Sequence, residues 1–153
     1  IHGAGVIDDK RIKDKSTESF TSVFSTKVDS AQILADRLRP DSLQFVVFFS
    51  SVSGRFGNAG QADYSAANEY LNKLADDLSR RWPARVASIN WGPWDGGMVS
   101  DELRRLYNQV GYELIPIEVG ARYFQREISQ ARDEPSEVVV SASVSKMADV
   151  TML

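Results

Sequence analysis

Ser51 closes an apolar run, Tyr64 follows thirteen positions later at the start of a helical pattern, and Lys27 lies upstream of both. A hydroxyl, a phenol and an ammonium together supply a hydrogen bond to a carbonyl oxygen, a proton for it, and a cation that tunes the proton donor. That is the acid half of a carbonyl reduction. Asn68 lies four residues beyond Tyr64, on the same helical face, so the two can serve one site. Each residue also has an ordinary reading. Serines beside glycine cap turns, an aromatic residue at a helix start packs on a sheet, and a lysine can lay its stem along apolar surface with its ammonium in water.

The elements that must position these residues alternate between short apolar runs and helical patterns. Gln44 to Ser50 reads as a strand buried on both faces of a parallel sheet, with Arg85 to Trp91 and Glu137 to Ser143 as second and third strands. Ser16 caps a helix to about Leu38, with Phe20, Phe24, Val28, Ala31, Leu34, Ala35 and Leu38 at helical spacing and Lys27 within that stripe. A second helix runs from about Ala62 to Arg81 and stops before Pro83, with Tyr64, Ala67, Leu71, Leu74 and Leu78 on one stripe. Ser100 caps a short helix through Leu106, and a further helix spans Ile117 to Ile128. This alternation implies right-handed parallel crossovers in an α/β fold. Ligands of open α/β sheets bind outside the carboxyl ends of the strands, where Ser50 and Ser51 lead into the turn containing Gly54, Gly57 and Gly60.

Composition narrows the function classes. The 153 residues are 42% hydrophobic and 25% charged, ordinary for one globular domain. A net charge of -3 with interspersed signs gives no basic footprint for nucleic acid or a membrane surface. With no cysteine and a single histidine, His2, neither disulfides nor cysteine- or histidine-rich metal sites are available. Phe45 to Phe49 is the longest apolar run, far short of the roughly 20 residues that cross a bilayer. These features point to a cytoplasmic chain that takes no metal.

The stretch FFSSVSGRFGNAGQADYSAANEYLNKLA, Phe48 to Ala75, resembles the core of the ketoreductase domains of modular and iterative polyketide synthases, a branch of the short-chain dehydrogenase/reductases. His2-Gly3-Ala4-Gly5-Val6-Ile7-Asp8-Asp9 resembles the segment after that family's fourth strand, and Lys27-Val28-Asp29 resembles its lysine-bearing helix. Asn90-Trp91-Gly92-Pro93-Trp94 followed by Gly96-Gly97-Met98 resembles the loop over nicotinamide and substrate. The wording of GRFGNAGQADY, GGMVSDEL and LIPIEVGA is similar to bacterial iterative synthases of the polyunsaturated fatty acid type. The resemblance covers residues 1 to about 145, leaving 146 to 153 as a tail or linker. It implies the C-terminal half of a Rossmann-like doubly wound parallel sheet.

The resemblance also implies roles. Most short-chain reductases carry lysine four residues after the tyrosine and asparagine on the earlier helix; this branch swaps them, as Lys27 and Asn68 do here. Ser51, Tyr64, Lys27 and Asn68 then form the catalytic set. NADPH is the implied hydride donor, held by Gly3, Ala4, Gly5, Lys27, Tyr64, Asn90, Gly92 and Pro93. A β-ketoacyl thioester on an acyl carrier protein is reduced to the β-hydroxyacyl thioester. Lys27 is expected to lower the pKa of Tyr64 from its ordinary value of about 10. Ile7, Asp8, Asp9, Phe56, Gln61 and Met98 fall at positions of substrate and stereochemical control. Ile7-Asp8-Asp9 is similar to the Leu-Asp-Asp of members giving the D-alcohol, and Phe56 stands where a tryptophan marks the L-alcohol, so a D-configured product is expected.

The chain has no G-x-G-x-x-G turn to hold a pyrophosphate. The resemblance places its start just after the fourth strand, so the phosphate cradle is expected on a missing N-terminal half. Gln44 to Ser50 should then expose an apolar edge that pairs with that half or self-associates. Other synthase domains are further expected partners. The alternative reading is a non-catalytic reductase-like module that supports neighbouring domains. A serine hydrolase is disfavoured, since there is no G-x-S-x-G elbow and one histidine.

Overall fold

A computed structural model describes residues 1–97, 99–109 and 111–142. Three parallel strands, β1 (Phe45–Ser51), β2 (Arg85–Trp91) and β3 (Glu137–Val140), form one sheet in the order β1-β2-β3. Ser51 pairs with Trp91 and Trp91 with Val140, so all three strands finish at one level and their carboxyl ends share one rim. The helices are α1 (Thr17–Arg37), α2 (Val52–Phe56), α3 (Ala62–Arg81), α4 (Asp101–Gln109) and α5 (Ile117–Ile128), with short 3-10 turns at Ile12–Asp14 and Pro40–Ser42. The third strand ends at Val140, short of the expected Ser143, with 141 and 142 already outside it; residues from 143 on, the expected tail included, lie outside the described residues.

Period-two alternation in β1 and β2 sorts the core into two layers. Val46, Phe48 and Val86 face Ala31 of α1 and Leu71, Leu74, Ala75 and Leu78 of α3. Val47, Ile89 and Trp91 face the opposite side, packed by Ile115 and by Phe124 and Ile128 of α5. Helices therefore cover both faces, as a doubly wound sheet requires. Every residue of β2 is buried, which explains its nearly continuous apolar reading despite Ser88 and Asn90.

The Ser16 hydroxyl accepts from the Ser19 amide and starts α1. The buried face of α1 keeps Lys27, Val28 and Ala31 of the expected stripe and adds Val23, whereas Phe20 and Leu34 are exposed. The expected stripe gave weight to the large residues at its ends, yet close contact with α3 selects the smaller side chains. Lys27 thus lies centrally in the interface.

The edge of β1 is also less open than expected. His2 forms a parallel bridge with Phe48, donating its amide to the Val47 carbonyl (2.8 Å) and accepting from the Phe49 amide (2.8 Å). The carboxyl half of that edge is therefore covered next to the site.

Candidate functional site

Ser51 ends β1 and caps α2, a helix that the sequence pattern did not show. Its Oγ accepts from the Ser53 amide (3.2 Å) and the Ser53 hydroxyl (3.0 Å), which leaves its own O–H as a donor toward the rim. Tyr64 is the third residue of α3, and Lys27 projects from the middle of α1 with its Nζ 5.5 Å from the centre of the Tyr64 ring. Asn68, one turn along α3, donates from Nδ2 to the Tyr64 carbonyl at 2.7 Å. Three separate elements therefore converge on the phenol.

Lys27 is 4% exposed, so its ammonium is largely withdrawn from water. Its one hydrogen bond among the described residues goes to the Phe49 carbonyl at 2.9 Å, on the edge of β1 just beyond the His2 bridge. No carboxylate pairs with it among the described residues. Burial alone pulls its pKa from 10.5 down to about 8. Gly5 makes room for the stem, since a Cβ there would stand 3.2 Å from Lys27 Cε.

Tyr64 departs from the expectation that Lys27 makes it more acidic. Burial pushes its pKa up and outweighs the Asn68 and Ser51 side chains, which pull it down; Asp9 and Tyr107 add smaller upward pushes. The ammonium lies over the ring face and is bonded to the Phe49 carbonyl, so its field does not outweigh desolvation of the phenolate. The resting phenol is firmly protonated.

Behind the site the α3–sheet interface turns polar. Ser50 Oγ donates to the Asn68 carbonyl (3.1 Å) and to Asn90 Oδ1 (3.0 Å), which also accepts from Asn72 Nδ2 (3.1 Å). Ser88 donates to Asn72 Oδ1 at 2.7 Å. This network fixes the Asn68 backbone, and it consumes the Asn90 side chain, which was expected at the cofactor. Asn90 is fully buried and points into the core. In contrast, Asn68 Oδ1 is a buried acceptor with no partner among the described residues. Gly54 brings α2 close to this point, where a Cβ would lie 2.8 Å from Asn68 Cβ.

The family model described as the KR domain matches residues 1–96. The chain belongs to the KR domain family. Among relatives, it is 39% identical over 140 residues to a polyunsaturated fatty acid synthase protein of Thraustochytrium sp. (strain ATCC 26185 / S-3), covering 92% of this chain and 5% of that protein. It is 33% identical over 150 residues to polyketide synthase GfsA of Streptomyces halstedii, covering 97% of this chain and 2% of that one. The solved ketoreductase from the first module of phoslactomycin biosynthesis in Streptomyces sp. HK803 superposes with a TM-score of 0.79 at 35% identity, over 92% of this chain and 32% of that one. A ketoreductase domain from the bacillaene assembly line gives 0.76 at 33% identity, over 99% and 38%. The chain thus spans about a twentieth or less of these synthases and about a third of the solved KR chains.

The remaining KR positions divide by location. Gly3 and Ala4 are exposed beyond His2, whereas Gly92 and Pro93 follow β2 at the rim. Ile7 is exposed, and Phe56 is exposed at the end of α2. Asp9 Oδ2 accepts from Gln61 Nε2 at 2.9 Å, joining the expected acidic loop to the start of α3. Asp8 is occupied differently: its Oδ2 accepts from Lys10 Nζ (2.8 Å) and Ser19 Oγ (2.5 Å), which hold its carboxyl below the usual range. It fastens the loop. Met98 lies outside the described residues.

Sequence reasoning missed Lys15 and Asp63. Lys15 Nζ meets Asp63 Oδ2 at 2.6 Å with both side chains 2% exposed. The two are 48 positions apart, and an aspartate in the first turn of α3 reads as an ordinary partner of the helix dipole. No local signal pairs them.

Proposed function

We propose that this chain forms the carbonyl-protonating wall of an NADPH-dependent β-ketoacyl reductase within a synthase, acting on a thioester carried by an acyl carrier protein. The observation that carries this reading is Lys27, a buried ammonium without a counter-ion among the described residues, held over Tyr64 at the carboxyl rim of the sheet. Burial without a carboxylate destabilises the fold, so a supporting module without chemistry has no use for it. The KR relatives and solved ketoreductases support the reaction class.

The residues present suit the nicotinamide-ribose end of such a cofactor. Lys27 commits one of its three donors to Phe49, and Asn68 Oδ1, one turn from Tyr64, is an unmatched acceptor among the described residues. Gly3 and Ala4 are exposed just after the His2 bridge, and Gly92 and Pro93 directly follow β2. No pyrophosphate cradle occurs among the described residues. When bound, NADPH supplies the hydride for the carbonyl carbon.

Tyr64 then donates its phenolic proton to the oxygen as negative charge develops there, while Ser51 donates a hydrogen bond to the same atom. The raised pKa of the resting phenol keeps the donor loaded at neutral pH. The Lys27 ammonium stabilises the phenolate as it forms, and Asn68 orients Lys27 or a relay water that returns the proton. Tyr64→Phe in the full polypeptide should lower turnover by at least about a hundredfold with NADPH binding unchanged. Turnover near that of the wild type would refute the assignment.

Ile7-Asp8-Asp9 supports a D-configured hydroxyl product, with the Asp9–Gln61 contact forming the mouth beside Tyr64. Chiral chromatography of the released acid should give the D-enantiomer; a predominant L-product would remove this part of the reading.

A further inference from the structure

Lys15 and Asp63 form a buried ion pair that the proposed chemistry does not use. A buried pair seldom adds stability over apolar residues of the same size, and its best-attested use is to fix register between elements. The surroundings here suit that use. Lys15 immediately precedes Ser16, the cap of α1, and α1 carries Lys27. Asp63 immediately precedes Tyr64, and its Oδ1 accepts from the Tyr64 amide at 2.9 Å while Oδ2 holds Lys15. Lys15 Nζ also donates to the Asp8 carbonyl at 2.6 Å, reaching the loop that carries Asp9. That loop is tied again to the start of α3 by Lys10 N–H to the Gly60 carbonyl (3.0 Å) and by Gln61 to Asp9.

One ammonium therefore touches the three segments whose relative placement decides where the phenol stands: the start of α1, the start of α3 and the acidic loop. We propose that Lys15 and Asp63 are positioning residues, a directional lock that registers Tyr64 against Lys27 and the Asp8–Asp9 loop. This inference rests on the reading of Tyr64 as the proton donor. An ångström of misplacement at a reacting group costs on the order of a hundredfold in rate, so the lock acts on kcat. Among the described residues it bonds to none of Gly3, Ala4, Gly92 and Pro93, so it acts far more weakly on cofactor affinity than on kcat.

The test compares Lys15→Met, Lys15→Arg, Asp63→Asn, the double variant Lys15→Met/Asp63→Asn and Tyr64→Phe in the full polypeptide. A β-ketoacyl thioester is the substrate, loss of NADPH fluorescence reports rate, and rates are expressed per NADPH-binding site. Lys15→Met should lower kcat by about ten- to a hundredfold with the NADPH dissociation constant within about threefold, and Lys15→Arg should recover most of the rate. Where a single variant fails to fold because a buried charge is orphaned, the double variant is decisive. It removes both charges and keeps a side-chain amide oxygen on α3 for the Tyr64 N–H, so it restores folding, yet it leaves the Asp8 carbonyl unheld and kcat should stay low. A double variant that folds and regains wild-type kcat would reduce the pair to a structural contact, as would Lys15→Met with wild-type kcat. If these occur while Tyr64→Phe is inactive, the lock alone fails; turnover by Tyr64→Phe overturns both the lock and the reading beneath it.

Discussion

Among the described residues the side chains of Lys15 and Lys27 are both buried, and their surroundings are opposite. Lys15 meets a carboxylate at 2.6 Å and a backbone carbonyl at 2.6 Å, at the junction of α1, α3 and the acidic loop. Among the described residues Lys27 bonds only to the Phe49 carbonyl, over the ring of Tyr64. The first charge is neutralised where it stands and serves geometry. The second is left uncompensated, with its pKa drawn down to about 8, which is useful where negative charge appears during a reaction.

Replacing each lysine by methionine separates the two roles most strongly. Lys27→Met should cut turnover by at least about a hundredfold while the folded protein stays as stable as the wild type or gains up to about 2 kcal/mol. The gain is the relieved burial of the ammonium, less the orphaned Phe49 carbonyl. Lys15→Met should act in the other sense on stability, losing about 3–5 kcal/mol because the Asp63 carboxylate remains buried without a partner. Chemical denaturation of both variants checks the contrast; equal losses would show that the two environments are not different in kind.

A smaller effect sharpens the same contrast through pH. The native pKa of Lys27, about 8, lies below the 10.5 of the unfolded chain, so the unfolded chain binds more protons between those values. The cost of burying Lys27 is complete below pH 8 and disappears as pH rises through 10.5. Relative to Lys27→Met, the wild type should therefore gain about 3 kcal/mol across that window. A flat difference between the two unfolding curves would contradict this.

Much of this arrangement was legible in the sequence because it depends on local pattern. The apolar run before Ser51 and the stripe from Ala67 to Leu78 fix a strand and a helix, and their junction puts Ser51 and Tyr64 at one rim. The burial of Lys27 was legible only as a choice between a stem lying on apolar surface and a buried cation; packing of α1 on α3 decides for the latter. Three features were beyond local pattern. Asn90 sits in wording similar to a cofactor loop, but the alternation of β2 turns its side chain inward to Ser50 and Asn72. His2 pairs with the edge of β1 because a strand's reach is set by hydrogen bonds that composition does not mark. The Lys15–Asp63 pair spans 48 positions, so it exists only once α1 and α3 have docked.

The direct measurement is titration of Lys27 itself, by NMR of the folded protein with isotope-labelled lysine and Lys27→Arg to assign the resonance. The two-lysine contrast predicts a Lys27 signal that titrates near 8, the value set by burial without a counter-ion. A Lys27 signal titrating near 10.5, the ordinary value, would show that the ammonium is hydrated or paired and would contradict the account of the site.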